Sequence, residues 1–293
     1  MTENTYPGLA SPPPPGASAL PPGTYEGRLV LVTGGGSGLG KAVAAEFARL
    51  GADLLIVGRT EDRLKAAQRE LGALGGRVTF AACDIRDPDR IAEVFDAAPA
   101  LPDVLVNNAA ANFPVPAEDM SPNAWRAVVD ITLTGTWFMT REFGRRHLGA
   151  GTPGSVINVG ASYAWTGGPG FAHSAAAKAG VKNLVETLAV EWAPYGIQVN
   201  GLVPGLFPHE DMPEAIRGNL EGTDDDKAGR QPALRVGQPR ELGWAATFLA
   251  SPYARFISGH TMVVDGANWQ RRTVVNPQVV PVREQLGHGP YGS

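Results

Sequence analysis

Short apolar runs alternate with longer helical stretches along most of this sequence, and that rhythm leaves few folds open. The strand candidates are residues 29–32, 54–57, 78–81, 104–106, 155–159, 198–202 and 260–264. Most are rich in β-branched residues and nearly continuous in apolar character, as strands buried on both faces are. Between them the spacing predicts helices over residues 41–50, 63–71, 89–97, 124–146, 175–192 and 240–250. Strand and helix in alternation predict an α/β fold: a single doubly wound parallel sheet of about seven strands with helices on both faces. Hydrophobic residues make up 43% of the 293 and charged residues 18%, enough apolar surface for a sizeable core.

The turn after the first strand narrows this further. Thr33-Gly34-Gly35-Gly36-Ser37-Gly38-Leu39-Gly40 closes a strand and opens a helix. Glycine at 34, 38 and 40 lets the backbone approach a diphosphate, and the helix N-terminus offers free N–H groups. A glycine cluster alone is a weak signal, but between strand and helix it predicts a Rossmann-type dinucleotide site. Ser37 and Leu39 belong to the same turn. The second strand ends in Gly58-Arg59-Thr60. An NAD-selective site places a carboxylate near here for the ribose 2′-hydroxyl, whereas an arginine pairs with a 2′-phosphate. Arg59 and Thr60 therefore point to NADP(H). Asp84 and Ile85, after the third strand, suit the adenine rim. Asn108, Ala109 and Ala110, after the fourth, are small enough for close approach to the cofactor.

Thr33–Gly40, Asn107-Asn108-Ala109-Ala110, a late-helix Lys178 and Val203-Pro204-Gly205 resemble, in this order, the short-chain dehydrogenase/reductase family over roughly residues 27–268. The resemblance adds Pro204, Gly205 and Leu206 to the cofactor set. Most members carry Tyr-x-x-x-Lys, whose i, i+4 spacing puts both side chains on one helix face. Here the residue four before Lys178 is Ser174. The family's strand serine is replaced by Ala161, and its helix asparagine falls at Thr132. These departures speak against ordinary alcohol–ketone chemistry.

Tyr163 lies 15 residues before Lys178, an arrangement that resembles the NADPH-dependent 2,4-dienoyl-CoA reductase branch of the family. The run from Leu20 to Gly27, Asn107-Asn108-Ala109-Ala110-Ala111-Asn112-Phe113, Ser121-Pro122-Asn123-Ala124-Trp125 and the run from Ser174 to Gly180 are similar to that branch too. The resemblance implies that Tyr163 and Asn112 donate hydrogen bonds to a thioester oxygen. Lys178 would hold the nicotinamide ribose, and Ser174 would position the thioester or the nicotinamide. Arg86, Phe113 and Ser121 match substrate-contacting positions, and the implied product is a 3-enoyl-CoA of fatty acid β-oxidation. Two rival readings stay open: a reductase or dehydrogenase of the same family acting on another enone, carbonyl or alcohol, and a non-catalytic NADP-binding sensor. His173 beside Ser174 would make a nucleophile–base pair only if adjacent helix residues faced each other, which they do not.

The remaining segments organise the chain around residues 27–268, the dinucleotide-binding catalytic domain. Residues 1–26 form a Pro-rich lead. Residues 206–239 are polar, contain Asp224-Asp225-Asp226, and are too long for an ordinary connector, which predicts a substrate loop. Residues 269–293 show no periodicity and read as an irregular tail. The net charge of −4 with no basic run argues against nucleic acid as a partner. No apolar stretch approaches the roughly 18–20 residues that span a bilayer, so no membrane insertion is predicted. The single Cys83 makes no intrachain disulfide, and the lead lacks a signal-peptide pattern, so the cytoplasm is the expected location. No His and Cys have metal-ligand spacing, so no metal is expected. The partners expected are an acyl-CoA-type small molecule and further copies of the chain, by family resemblance a homotetramer.

Overall fold

Each of the seven apolar runs becomes a strand, and all seven lie parallel in one sheet. The structure, a computed structural model, describes residues 7–212, 224–270 and 282–288. The strands are β1 Leu29–Thr33, β2 Asp53–Gly58, β3 Val78–Ala82, β4 Val104–Asn107, β5 Gly154–Val159, β6 Ile197–Pro204 and β7 Thr261–Val264. Their order in the sheet is β3-β2-β1-β4-β5-β6-β7. The order reverses between β1 and β4, where the connections leave on opposite faces and open a crevice at the carboxyl ends. The register places Thr33 beside Asn107, and Asn107 beside Asn158, along that edge.

Alternate residues of each inner strand feed two separate cores. Val30, Val32, Leu54 and Ile56 face helices α1 (Gly38–Arg49) and α2 (Glu61–Gly72). Leu29, Leu31, Leu55 and Val57 face the other side. There Ile91 and Phe95 of α3 (Pro88–Asp96) pack with Phe143 of a later helix and with Val185, Leu188 and Trp192 further on. Burying each large side chain contributes about 1.5–3 kcal/mol, so both faces of the sheet are fixed before any site is considered.

The stretch predicted as helix over 124–146 is helical throughout, but it is not uniformly α-helical. The chain forms α4 (Pro122–Val129), a π-helical turn (Asp130–Gly135) and α5 (Thr136–Ala150). The buried Thr132 hydroxyl donates to the Ala111 carbonyl at 3.4 Å, and the Ala111 N–H donates to Thr132 Oγ1 at 3.2 Å. Gly135 lies against Ile85 so closely that a Cβ there would sit 2.7 Å from Ile85 Cγ1. A widened turn with its side chain tied to a neighbouring loop is typical of helices that serve a site.

After β5 come a single turn α6 (Tyr163–Thr166) and the long α7 (Ala172–Trp192). The loop expected over 206–239 contains a short helix α8 (Asp224–Gly229), and α9 (Pro239–Ala250) follows it. Residues 213–223 of that loop lie outside the described residues. The Pro-rich lead, from residue 7 onward, is bound to this region. Leu9 N–H donates to Ala233 O at 2.9 Å, Arg235 Nε to Ala10 O at 3.0 Å and Arg240 Nε to Pro13 O at 3.0 Å. The tail is not wholly irregular: Val282–Gln285 is helical, and Arg283 pairs with Asp119 at 2.8 Å. Residues 271–281 and 289–293 of the expected tail lie outside the described residues.

Candidate active site

The phosphate turn folds as its glycines require. Gly38 has φ +52°, a conformation that a side chain makes costly. A Cβ on Gly34 or Gly40 would lie 2.8 or 2.4 Å from Asn108 Nδ2. Asn108 is itself held, because its N–H donates to Thr33 Oγ1 at 3.0 Å and its Nδ2 to Thr33 O at 3.2 Å. One step inward, Asn107 Nδ2 donates to Thr140 Oγ1 and to Asn158 Oδ1, both at 2.8 Å, which locks β4 to β5 and α5.

A cavity of about 480 Å³ opens over this turn. Gly34, Ser37, Gly38 and Leu39 line one side, and Arg59, Thr60, Asp84 and Ile85 line the other. Asn108, Ala109 and Ala110 form its inner end. Among the described residues, neither Arg59 nor Arg63 has an acidic side chain within ion-pair distance. A cradle that excludes side chains beside a helix N-terminus fits a dinucleotide. Gly40 lies behind this wall. Pro204 and Gly205 sit at the carboxyl end of β6, and Leu206 faces a smaller cavity. Sequence reasoning missed Arg63, Cys83, Ile131, His209 and Asp211 in the lining. Arg63, a second basic residue one turn after Arg59, was findable; His209 and Asp211 carried no local signal.

Beyond the cavity, three segments bring polar groups together. Tyr163 from α6 lies 2.9 Å from Ser174 Oγ on α7, and Asn112 Nδ2 donates to the Tyr163 hydroxyl at 3.3 Å. Asn112 Oδ1 is buried with no hydrogen-bond partner among the described residues, the kind of atom a bound molecule satisfies. Ser174 does not cap its helix, since α7 begins at Ala172. Lys178 is one turn further along the same helix face. Its Nζ is buried and donates to Val159 O at 2.5 Å.

Burial decides the protonation states. It raises the Tyr163 pKa, and the Ser174 hydrogen bond only partly opposes the shift. The phenol therefore keeps its proton and acts as a donor. Burial also brings Lys178 down to about 8, so the ammonium form still predominates at neutral pH. His173 is wholly buried. Its Nδ1 accepts the Ser174 N–H at 2.7 Å, and its ring meets Phe113 edge-on with centroids 4.7 Å apart.

Two of the expected substrate contacts have other partners here. Arg86 grips Asp84 with bonds of 2.5–3.1 Å, which holds the Asp84 carboxyl below its usual range. Ser121 caps α4 by accepting the Ala124 N–H at 3.1 Å. Phe113 lies beside His173 at the edge of the Tyr163 group. Among the described residues no helix is long and apolar enough to cross a membrane.

Known proteins resemble this chain in sequence and in fold. A family model described as Enoyl-(Acyl carrier protein) reductase matches residues 34–267. A protein of Bacillus subtilis named as a probable 2,4-dienoyl-CoA reductase, (2E)-enoyl-CoA-producing, is 38% identical over 83% of this chain and 97% of its own. A peroxisomal 2,4-dienoyl-CoA reductase of Arabidopsis thaliana, (3E)-enoyl-CoA-producing, is 35% identical over 86% of this chain and 88% of its own. The crystal structure of a short chain dehydrogenase from Bacillus anthracis has a TM-score of 0.75 at 38% identity, covering 82% of this chain and 96% of that one. A Burkholderia cenocepacia gluconate 5-dehydrogenase in complex with NADP and tartrate has a TM-score of 0.78 at 31% identity, over 85% and 98%. With the strand order, the phosphate turn and these relatives in agreement, the chain belongs to the short-chain dehydrogenase/reductase family and is an oxidoreductase.

Proposed function

We propose that this protein reduces a 2,4-dienoyl-CoA-type thioester with NADPH. The observation that carries the reading is the hydrogen-bonded row Asn112–Tyr163–Ser174, in which a serine stands four residues before Lys178 and the tyrosine arrives from a separate segment. When bound, NADPH supplies a hydride to the far end of the conjugated diene. Negative charge then moves to the thioester oxygen. Tyr163 and Asn112 donate to that oxygen and stabilise the enolate, an effect worth about 3–4 kcal/mol per donor. Lys178 binds the nicotinamide ribose and lends positive charge, and Ser174 orients the Tyr163 hydroxyl. A solvent proton returned to carbon completes the balance of one hydride and one proton, leaving a 3-enoyl-CoA.

Arg59, joined at the cavity rim by Arg63, takes the 2′-phosphate. Phe113 borders the acyl group, and Arg86 and Ser121 lie toward its CoA end. The same reading places the protein in fatty acid β-oxidation, in the cytoplasm, as a homotetramer with residues 206–239 as its substrate loop. Relatives support the substrate class, since several with 34–38% identity carry the dienoyl-CoA reductase name.

The test offers purified protein NADPH and a 2,4-dienoyl-CoA while NADPH and diene absorbance are followed together. Coupled loss of both supports the reading, and the product's double bond is then located by mass spectrometry. Turnover of a simple ketone or enone but not of the diene would favour another family reductase. Tight NADPH binding without turnover of any substrate would favour a sensor. Arg59→Asp is expected to turn the preference from NADPH toward NADH, read as the ratio of their dissociation constants; an unchanged ratio removes Arg59 from the 2′-phosphate site.

A further inference from the structure

The segment that follows β6 turns back over the phosphate turn. Asp211 Oδ2 accepts the N–H of Gly38, the first residue of α1, at 2.9 Å. The His209 ring packs on the same residue, so close that a Cβ on Gly38 would lie 3.0 Å from Nε2. His209 is fixed in turn by its Nδ1, 2.9 Å from Phe207 O. Both side chains line the 480 Å³ cavity assigned to the dinucleotide.

The N–H groups at the start of α1 are the ones that the phosphate turn offers to an anion. A carboxylate is already an anion in that position. The Gly38 N–H has one proton and cannot give it fully to Asp211 and to a phosphate oxygen together. The two negative groups would also repel across a few ångströms. We propose that Asp211 is a built-in competitor of the cofactor: its carboxylate occupies the seat of a diphosphate oxygen, and dinucleotide binding requires the stretch from His209 to Asp211 to withdraw. This rests on the dinucleotide reading of the cavity and adds to it a residue that sets cofactor affinity.

Asp211 is exposed, so its replacement leaves the core intact. The experiment titrates the full chain and its Asp211→Ala and Asp211→Asn variants with NADPH, NADH and inorganic pyrophosphate by calorimetry. Amide exchange at Gly38 is measured without cofactor. Asp211→Ala is expected to tighten all three ligands by about threefold to tenfold, the scale of an exposed charge-assisted contact. NADPH and NADH gain by the same factor, because they share the diphosphate. Asp211→Asn falls between, and Gly38 loses exchange protection in the alanine variant. Unchanged or weaker NADPH binding by Asp211→Ala overturns the proposal and leaves the dinucleotide reading standing. Binding of neither dinucleotide by either protein overturns both.

Discussion

At position 174 a serine stands where most family members place the catalytic tyrosine, and the site is rebuilt around that change. Tyr163 approaches from α6 and finds the serine at 2.9 Å. Tyr163→Phe keeps the ring and removes the donor. It is expected to lower kcat by about 10²–10³-fold while NADPH affinity stays within twofold; full turnover in the variant would exclude the phenol from the reaction. Lys178 yields a second, opposite kind of prediction. Its folded pKa, about 8, lies below the ordinary 10.5 because the ammonium is buried. Between those values the unfolded chain binds more protons than the folded one, so this residue makes stability rise as pH rises from about 8 to 10.5. Below pH 8 the penalty is full, on the order of 3 kcal/mol. Lys178→Met should therefore melt higher than the parent at pH 7 and lose turnover. The melting difference should shrink as pH approaches 10.5, and a constant difference would show that the ammonium is not penalised. That Tyr163, Asn112 and Ser174 come together was legible in the sequence because the motifs that carry them resemble one branch of the family. His173 was legible only as a neighbour of Ser174, since nothing in the sequence says its ring is buried against Phe113.

Among the elements, strands were read best. The five inner strands are apolar runs buried on both faces, the edge strands β3 and β7 are only partly buried, and the runs end within two residues of the observed strand ends. The helical stretch over 124–146 was legible, but the π-helical turn inside it was not, because no local residue pattern marks it. What makes that turn is a contact 21 residues away in sequence, Thr132 with the backbone of Ala111. Asn112 is the next residue, so the turn sets where Asn112 points. Thr132→Val removes the hydroxyl and keeps the shape, leaving the Ala111 N–H and carbonyl without it. A loss of about 1–3 kcal/mol in unfolding free energy is expected, with kcat falling more than KM rises as Asn112 loses its support. A variant that loses stability with unchanged kinetics would mean that Asn112 is held by other contacts. Ser121 shows the converse limit: its capping of α4 is written in Ser121-Pro122, yet the resemblance pointed only to substrate.

For the whole molecule, the two ends return to the body of the fold in ways that composition hid. The sequence marked the lead only as Pro-rich, but extended proline-rich chain is well suited to lie along a surface and offer its carbonyls as acceptors. Ala10 and Pro13 carbonyls meet Arg235 and Arg240, and the Leu9 N–H meets Ala233. These contacts fall between α8 and the first turn of α9, on the stretch that closes the proposed substrate loop. Further along, Tyr25 is buried, with its hydroxyl 2.6 Å from the Thr247 carbonyl and its ring edge-on to Phe47. The lead thus has an inner anchor in the core and an outer strap across residues 233–240. Deleting residues 2–16 removes the strap and keeps the anchor. The truncated protein is expected to fold, with unchanged far-ultraviolet dichroism and a melting point a few degrees lower, since three mostly exposed hydrogen bonds are worth about 1–3 kcal/mol together. Amide exchange should quicken across residues 231–240 and stay as before in β1 and α1. Tyr25→Phe gives the contrasting pattern: it leaves the strap and strips the Thr247 carbonyl of its donor, so stability falls by about 1–2 kcal/mol with exchange at 231–240 little changed. If both proteins lose protection in the same places, strap and anchor are one unit, and the lead belongs to the core instead of acting on the loop.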